Sequence, residues 1–437
     1  MFKTLKNALK IKEIRHRILF TLFILVVVRL GAQLPIPGVS RDVFSQWFAS
    51  QTSGAFDLFD AMTGGSFTQM SVFALSISTY ITASIVIQLL TIAIPKWEEM
   101  QKEGEDGRKK LRAYTRYLTV ALSLIEGLAM GINFYRGGNL AHNNALDVIM
   151  VMVALSAGAT MLMWLGERIT EKGVGNGISI ILLFNIISRL PEDFALLYNV
   201  FLRGKNIVQA GLAAIVILAV ILAIIVFVIY LQDGQRKIPV QYSKKVVGRR
   251  LVGRGGSSIP LKVNTAGVIP IIFASSLMSM PGLIVGFMGA SPSGIPAFIL
   301  NCLSSSNWCN PARPQYSIGL ILYIVLVVLF AYFYTSITFN PIEVADNMRK
   351  QGGFIPGIRP GKPTVEYLTK ILNNLIFIGA VGLLIVALIP IIFAGIFSVN
   401  VSFGGTSLII IVGVVLETIK QVESMMLVRH YKGFLND

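Results

Sequence analysis

Phe73 to Pro95, FALSISTYITASIVIQLLTIAIP, is apolar enough to lie in a membrane yet carries a polar group at nearly every turn: Ser76, Ser78, Thr79, Thr82, Ser84, Gln88 and Thr91. A helix of this length covers about 30 Å of hydrocarbon at 1.5 Å per residue, so it can span. Its hydroxyls need protein or water beside them, not lipid. Ile77, Ile81 and Ile85 recur every four residues and give the same helix an aliphatic rib on another face. The segment before it, AFDLFDAMTGGSF from Ala55 to Phe67, is mildly amphipathic, too short to cross, and ends near Gly64 and Gly65. The two together predict a half-inserted flap attached to a pore-lining helix.

The rest of the chain supports a membrane setting. Of 437 residues 54% are hydrophobic and 14% charged, with a mean hydropathy of +0.70, a balance that soluble chains of this length rarely have. The net charge of +16 could indicate nucleic acid, but its distribution decides its meaning. Of 38 lysines and arginines, 31 fall in residues 1–17, 96–116, 168–176, 232–262, 340–370 and beyond 419. This is the positive-inside asymmetry, and it puts both termini in the cytoplasm. Residues 1–17 form a basic amphipathic lead with no convincing cleavage site after it, so the first span is expected to stay. Cys302 and Cys309 share a polar loop on the outside, where a local disulfide and two unpaired thiols are both open.

Apolar runs long enough to span lie at 18–34, 72–94, 118–134, 146–165, 178–190, 207–231, 266–288, 318–339, 371–393 and 406–415 with its flanks. The expected fold is therefore an all-α polytopic membrane protein with ten transmembrane helices. Five per half forces the second half to enter the membrane from the opposite side, so the halves, 18–190 and 207–430, are expected to be inverted repeats joined by an outside connection at 191–206. The fifth run of each half is short and opens on glycine, at Gly173, Gly175 and Gly177 and again at Gly404 and Gly405. Such segments at matching positions point to a central pathway between halves. The second run of the second half, NTAGVIPIIFASSLMSMP from Asn264, repeats the hydroxyl-rich pattern and carries Pro270 and Pro281.

Two inside loops, 232–262 and 340–370, are long and basic. The second contains GGFIPGIRPGKP, in which Pro356, Gly357, Pro360 and Gly361 fix a turn with Arg359 at its tip. The first sets Lys244, Lys245, Gly248, Arg249, Arg250 and Arg254 among valines and a tyrosine, a pattern that suits a short hairpin. Basic loops can serve topology or anionic lipid alone. Topology needs no rigid scaffold around one arginine, so the pair is read as a docking surface for an acidic or phosphate-rich cytosolic partner.

Catalytic chemistry is missing by the same reading. His16, His142 and His430 lie at or beyond span ends, in no metal-binding spacing, and no nucleophile and base pair up. Arg29 can snorkel from a span end, and Glu126 in the third span reads as a packing or gate group before a coupling-ion site. No enzyme activity, metal or cofactor is expected.

Longer motifs then add a resemblance: LPIPG (Leu34–Gly38), TGGSF (Thr63–Phe67), YITASIVIQLL from Tyr80, EGEDGRKK from Glu103, TRY from Thr115, MWLGERITEKGVGNGISI from Met163, KVNTAGVIPIIFASS from Lys262, FNPIEVADNM from Phe339, GFIPGIRPGK from Gly353 and FGGTSLIII from Phe403. From end to end the chain resembles the bacterial SecY family, the central subunits of the SecYEG protein-conducting channel. Ile342 stands where many members carry arginine.

The resemblance implies a clamshell of spans 1–5 and 6–10 hinged between spans 5 and 6, with a lateral gate between spans 2 and 3 and spans 7 and 8. It implies a constriction ring of Ile77, Ile81, Ile178, Leu182, Ile272 and Ile410, Leu182 replacing the commoner isoleucine. The flap becomes a re-entrant plug helix at 55–67, including Ala55, Phe56, Leu58, Phe59, Met62, Gly64 and Gly65. Thr82, Gln88 and Asn264 match gate positions, and Arg249, Arg250 and Arg359 match docking positions for the ribosome or the SecA ATPase. SecE and SecG are implied partners, unfolded secretory and membrane proteins the cargo, and the bacterial cytoplasmic membrane the setting, with contact to its lipid; one copy or a homodimer is left open. The rival function is a secondary transporter of a small solute, which inverted halves also permit. A transporter needs ionisable or carbonyl ligands at the midplane, where this chain offers isoleucine, leucine and serine.

Overall fold

A computed structural model of the chain describes residues 8–39, 60, 63–138, 140, 142, 144–203, 207–242, 245–247, 250–252, 257–288, 294–309, 313–397 and 405–433. All ten apolar runs are helical over at least part of their length. In the first half these helices are α1 (Lys12–Gly31), α2 (Ser78–Ala93), α4 (Glu105–Gly137), α5 (Ala145–Lys172) and α6 (Gly177–Leu197), with a short α3 (Pro95–Lys102) after α2. In the second they are α7 (Ile207–Asp233), α8 (Ile269–Met288), α10 (Ile318–Thr338), α12 (Lys362–Phe397) and α13 (Gly405–Gly433), with shorter α9 (Ile295–Leu303) and α11 (Pro341–Lys350) between them.

Among the described residues five helices are by themselves long and apolar enough to cross a membrane, and the bent pair Ser78–Ala93 with Pro95–Gln101 makes a sixth. The remaining members of the ten carry charge or are short. Arg15, Arg17 and Arg29 ride in α1, while Arg189, Glu192 and Asp193 ride in α6. In α8 the apolar stretch is Ile269–Gly282.

The second run departs from its expected bounds, because its helix starts at Ser78 and not at Val72. Residues 70–72 pair with 34–36 instead: Ile36 N donates to Met70 O at 3.0 Å and Val72 N to Leu34 O at 2.9 Å. Met70 and Ser76 take φ of 45° and 51°, in the left-handed region where an α-helix cannot run. At its other end the chain turns through 108° into α3, which starts on Pro95, a residue with no N–H to lose at a first helical position.

In the first half α4 packs on α5 and α2, and α5 on α6; in the second, α8 packs on α10, α10 on α12, and α13 on α7 and α12. Among the described residues the main helix pairs crossing between the halves are α6 with α13 and α4 with α8, and Ile14 of α1 also clusters with Val422 of α13. A π-helical turn, Tyr198–Leu202, joins α6 to the approach to α7 and touches both. It falls inside the connection expected at 191–206, of which 204–206 lie outside the described residues. Each half has its own core, around Phe67, Met70, Phe134 and Leu155 in the first and Val228, Trp308, Val327 and Leu383 in the second.

Among the described residues, strands occur only at one end, the sheet end. β1 (Gln235–Tyr242) lies between β4 (Ser257–Lys262) and β5 (Gly353–Phe354), all antiparallel, and β2 (Lys245–Val247) pairs with β3 (Arg250–Val252). The hairpin expected in the first basic loop is thus present, with Val246 opposite Leu251. Nothing in the second loop's residues signals that it adds β5 to the same sheet. Ile238, Val240, Leu261, Ile355 and Leu368 pack beneath it and weld the two loops into one platform.

Candidate functional site

The six aliphatic residues expected to form a constriction come from four helices of both halves. Ile77 and Ile81 stand at the start of α2, Ile178 and Leu182 in the first turns of α6, Ile272 on α8 and Ile410 on α13. They belong to one hydrophobic cluster, with Ile77, Leu182 and Ile410 buried and Ile81, Ile178 and Ile272 half-buried against them. The four-residue spacing on α2 and α6 puts each pair on one helix face. The start of α6 is fixed by Asn176, whose Oδ1 accepts from Ile178 N at 3.1 Å and Ser179 N at 3.4 Å, an N-cap that orients the first turn. Gly177 lets that turn lie against α5, since a Cβ there would fall 1.8 Å from Gly166 O.

A cavity of about 390 Å³ opens on the sheet side of the cluster. Leu182, Ile272 and Ile410 form its apolar floor, and Ser179, Gln232 and Asn264 are among its polar walls. At its rim Lys420 Nζ of α13 pairs with Asp233 of α7 at 2.6 Å. A polar funnel therefore narrows to an aliphatic floor.

Towards the end opposite the sheet, the described flap residues, Asp60 and 63–67, lie beside α6. Ala55, Phe56, Leu58, Phe59 and Met62 lie outside the described residues; Gly64 and Gly65 lie within them. Asp60 is 1% exposed and pairs with Arg189 near the end of α6. Asp60 Oδ1 also accepts from Thr68 N at 3.0 Å. Arg29 Nη1 donates to Gly64 O at 3.1 Å and to Ser188 Oγ at 3.2 Å, so its role is an internal one and not snorkelling. Gly64, at φ +68°, sits so close to α6 that a Cβ would meet Asn185 O at 2.9 Å. Asn185 Nδ2 in turn donates to Ser76 Oγ at 3.2 Å. The sequence reading passed over Asp60 and Arg189; the one available signal was a carboxylate in the flap and an arginine at the end of an apolar run.

The three expected gate residues are not hydrogen-bonded to one another. Thr82 Oγ1 donates to Ser78 O at 3.1 Å, Gln88 Nε2 to Ser84 Oγ at 3.2 Å and Asn264 Nδ2 to Gly267 O at 3.1 Å, each within its own segment. The polar tie across helices is Thr79 Oγ1 donating to Glu126 Oε2 at 2.8 Å, which joins α2 to α4. On the platform Arg359 is exposed at its turn, which is closed by Ile358 N donating to Ile355 O at 3.0 Å and Thr364 Oγ1 to Arg359 O at 2.8 Å. Arg250 opens β3 opposite Val247, and Arg249 lies outside the described residues. Cys302 and Cys309 are free thiols, and burial raises the pKa of Cys302 above its usual value.

Comparison with known proteins gives concordant findings. The SecY family model matches residues 71–419. The protein translocase subunit SecY of Halalkalibacterium halodurans is 42% identical over 444 residues, covering 100% of both chains. Among solved structures, one of a SecY protein whose plug domain is described as stabilizing the closed state of the translocation channel aligns with a TM-score of 0.60 at 18% identity, over 94% of this chain and 92% of that one. Sec61 in the canine ribosome-channel complex from the endoplasmic reticulum aligns with a TM-score of 0.59 at 18% identity, over the same shares.

Proposed function

The chain belongs to the SecY family, and from that membership we propose that it is the central subunit of a gated protein-conducting channel in the bacterial plasma membrane. It passes unfolded secretory chains outward and releases apolar segments sideways into lipid. The observation that carries this reading is the gathering of Ile77, Ile81, Ile178, Leu182, Ile272 and Ile410, from four helices of both halves, in one hydrophobic cluster, of which Leu182, Ile272 and Ile410 line a cavity on the sheet side. Branched aliphatic side chains offer ions no ligands and a narrow ring of them excludes water, yet they can part around a chain of varied side chains. A small-solute carrier would need polar or ionisable ligands where this floor is aliphatic.

The halves meet at α6 with α13 and at α4 with α8. The α4–α8 seam is the one proposed to open sideways, with the π turn at Tyr198–Leu202 as the flexing point, because π turns often mark such places. An apolar signal helix entering the seam competes for the surfaces that α4 and α8 present to each other. Both termini and the sheet end face the cytoplasm, in keeping with the lysine and arginine distribution. The platform carrying Arg359, together with Arg249 and Arg250 of the first basic loop, is the docking surface for the SecA motor or a translating ribosome, which supplies the energy. SecE and SecG complete the channel, and the chain itself is no enzyme.

Photocrosslinking from Ile81 and Ile410 to an arrested secretory chain tests the path. Crosslinks from both positions, lost when the signal sequence is made polar, are the expected result. Crosslinks confined to the cytoplasmic loops, in an otherwise intact complex, would remove the ring from the path.

A further inference from the structure

Near the end of α6 opposite the sheet, two helices grip one short segment of chain. Arg189 of α6 pairs with the carboxylate of Asp60, whose side chain is 1% exposed. Asp60 is tied into its own segment as well: Oδ1 accepts from Thr68 N at 3.0 Å, and its backbone oxygen accepts from Thr63 Oγ1 at 3.0 Å and Gly65 N at 3.2 Å. Four residues on, Arg29 of α1 donates to Gly64 O and also to Ser188 Oγ, the neighbour of Arg189. Two guanidinium groups from different helices thus hold Asp60 and Gly64. Ile77 and Ile81 follow Gly64 by 13 and 17 residues, so where it is held bears directly on the ring.

We propose that Asp60 and Arg189 form an electrostatic latch that keeps the flap seated below the aliphatic ring, with Arg29 as the second point of attachment at Gly64. The inference rests on the channel reading above and adds to it the residues that set how firmly the resting channel is shut. The chemistry makes such a latch conditional. While the segment stays seated, Asp60 is shielded from water, and parting it from Arg189 leaves a buried charge without its partner. Once water reaches the pair, the attraction falls to that of an exposed ion pair and holds little. A translocating chain that wets the space below the ring therefore releases the latch without touching either residue, and drying re-engages it.

The test uses the full chain in its assembled complex, reconstituted in planar bilayers, with resting ion conductance as the readout. Asp60→Asn and Arg189→Gln are each expected to raise resting conductance about tenfold, less than the roughly hundredfold or more for breaking a fully buried pair, because Arg189 is partly exposed. The exchange Asp60→Arg with Arg189→Asp is expected to bring conductance back towards that of the parent. Single variants that seal as the parent does overturn the proposal, and so does an exchange that leaks as much as the singles. Should Asp60→Asn fail to assemble, Arg189→Lys against Arg189→Gln decides: a sealed lysine variant beside a leaking glutamine variant supports the latch, and equal conductance overturns it. Export of a secretory chain by the parent, measured in the same preparation, reads the channel function separately. Its absence would count against that reading and not against the latch alone.

Discussion

Gly177 is the residue with the least freedom in the molecule's centre. A methyl group there would overlap Gly166 O, which is backbone and cannot swing away. Gly177→Ala is therefore expected to cost about 1–3 kcal/mol as overpacking, read as a lower midpoint of thermal unfolding for the purified complex. Thr79 offers the contrasting case of a lost partner. Thr79→Val keeps the volume but strands the Glu126 carboxylate, at about 1–3 kcal/mol, whereas Glu126→Gln leaves an acceptor for the hydroxyl and should cost less; a pair of unfolding curves compares them. At this scale the sequence was partly legible. Ile77 with Ile81 announces itself by spacing, and the family resemblance supplied Ile178, Leu182, Ile272 and Ile410. Asp60 with Arg189, 129 residues apart, and Arg29 with Ser188, 159 apart, leave no local trace. Long-range pairs between single polar groups have no period for a reader to find.

At the scale of elements, the ten apolar runs were readable because each is apolar over three or more helical turns, while the start of α2 was not. Val72 to Ile77 is as apolar as the helix it precedes, and composition cannot reveal that residues 70–72 take their hydrogen bonds from 34–36. The short hairpin of the first basic loop followed from its alternating valines, but the two residues of β5 are too few to show any alternation. The platform gives a separable prediction. Arg359→Glu reverses the charge at an exposed turn whose backbone bonds do not involve the guanidinium, so assembly should persist while motor-driven export falls. Normal export by that variant in a purified motor assay would take Arg359 out of the docking surface.

For the whole molecule, the decisive feature is a cluster that neither half can build alone. Ile410 and Ile272 come from the second half, Ile77, Ile81, Ile178 and Leu182 from the first. Replacing Ile81, Ile272 and Ile410 together with glycine removes side chains from three of the four contributing helices and should leave a standing ion leak in planar bilayers. A variant that stayed sealed but lost uptake of some small solute would turn the assignment towards a carrier. The ten apolar runs were legible from hydropathy, since that is a sum over many residues. How the halves touch is not such a sum, and it became visible only as the pairings of α6 with α13 and α4 with α8. The sheet has a mechanical corollary. Its three strands come from two loops, but both loops belong to the second half, and none of its strands comes from the first. Whatever grasps the platform holds one shell of the pair and leaves the other unheld. With the π turn as the proposed flexing point, a push from a docked partner would act as a torque about Tyr198–Leu202, and the platform would be its handle.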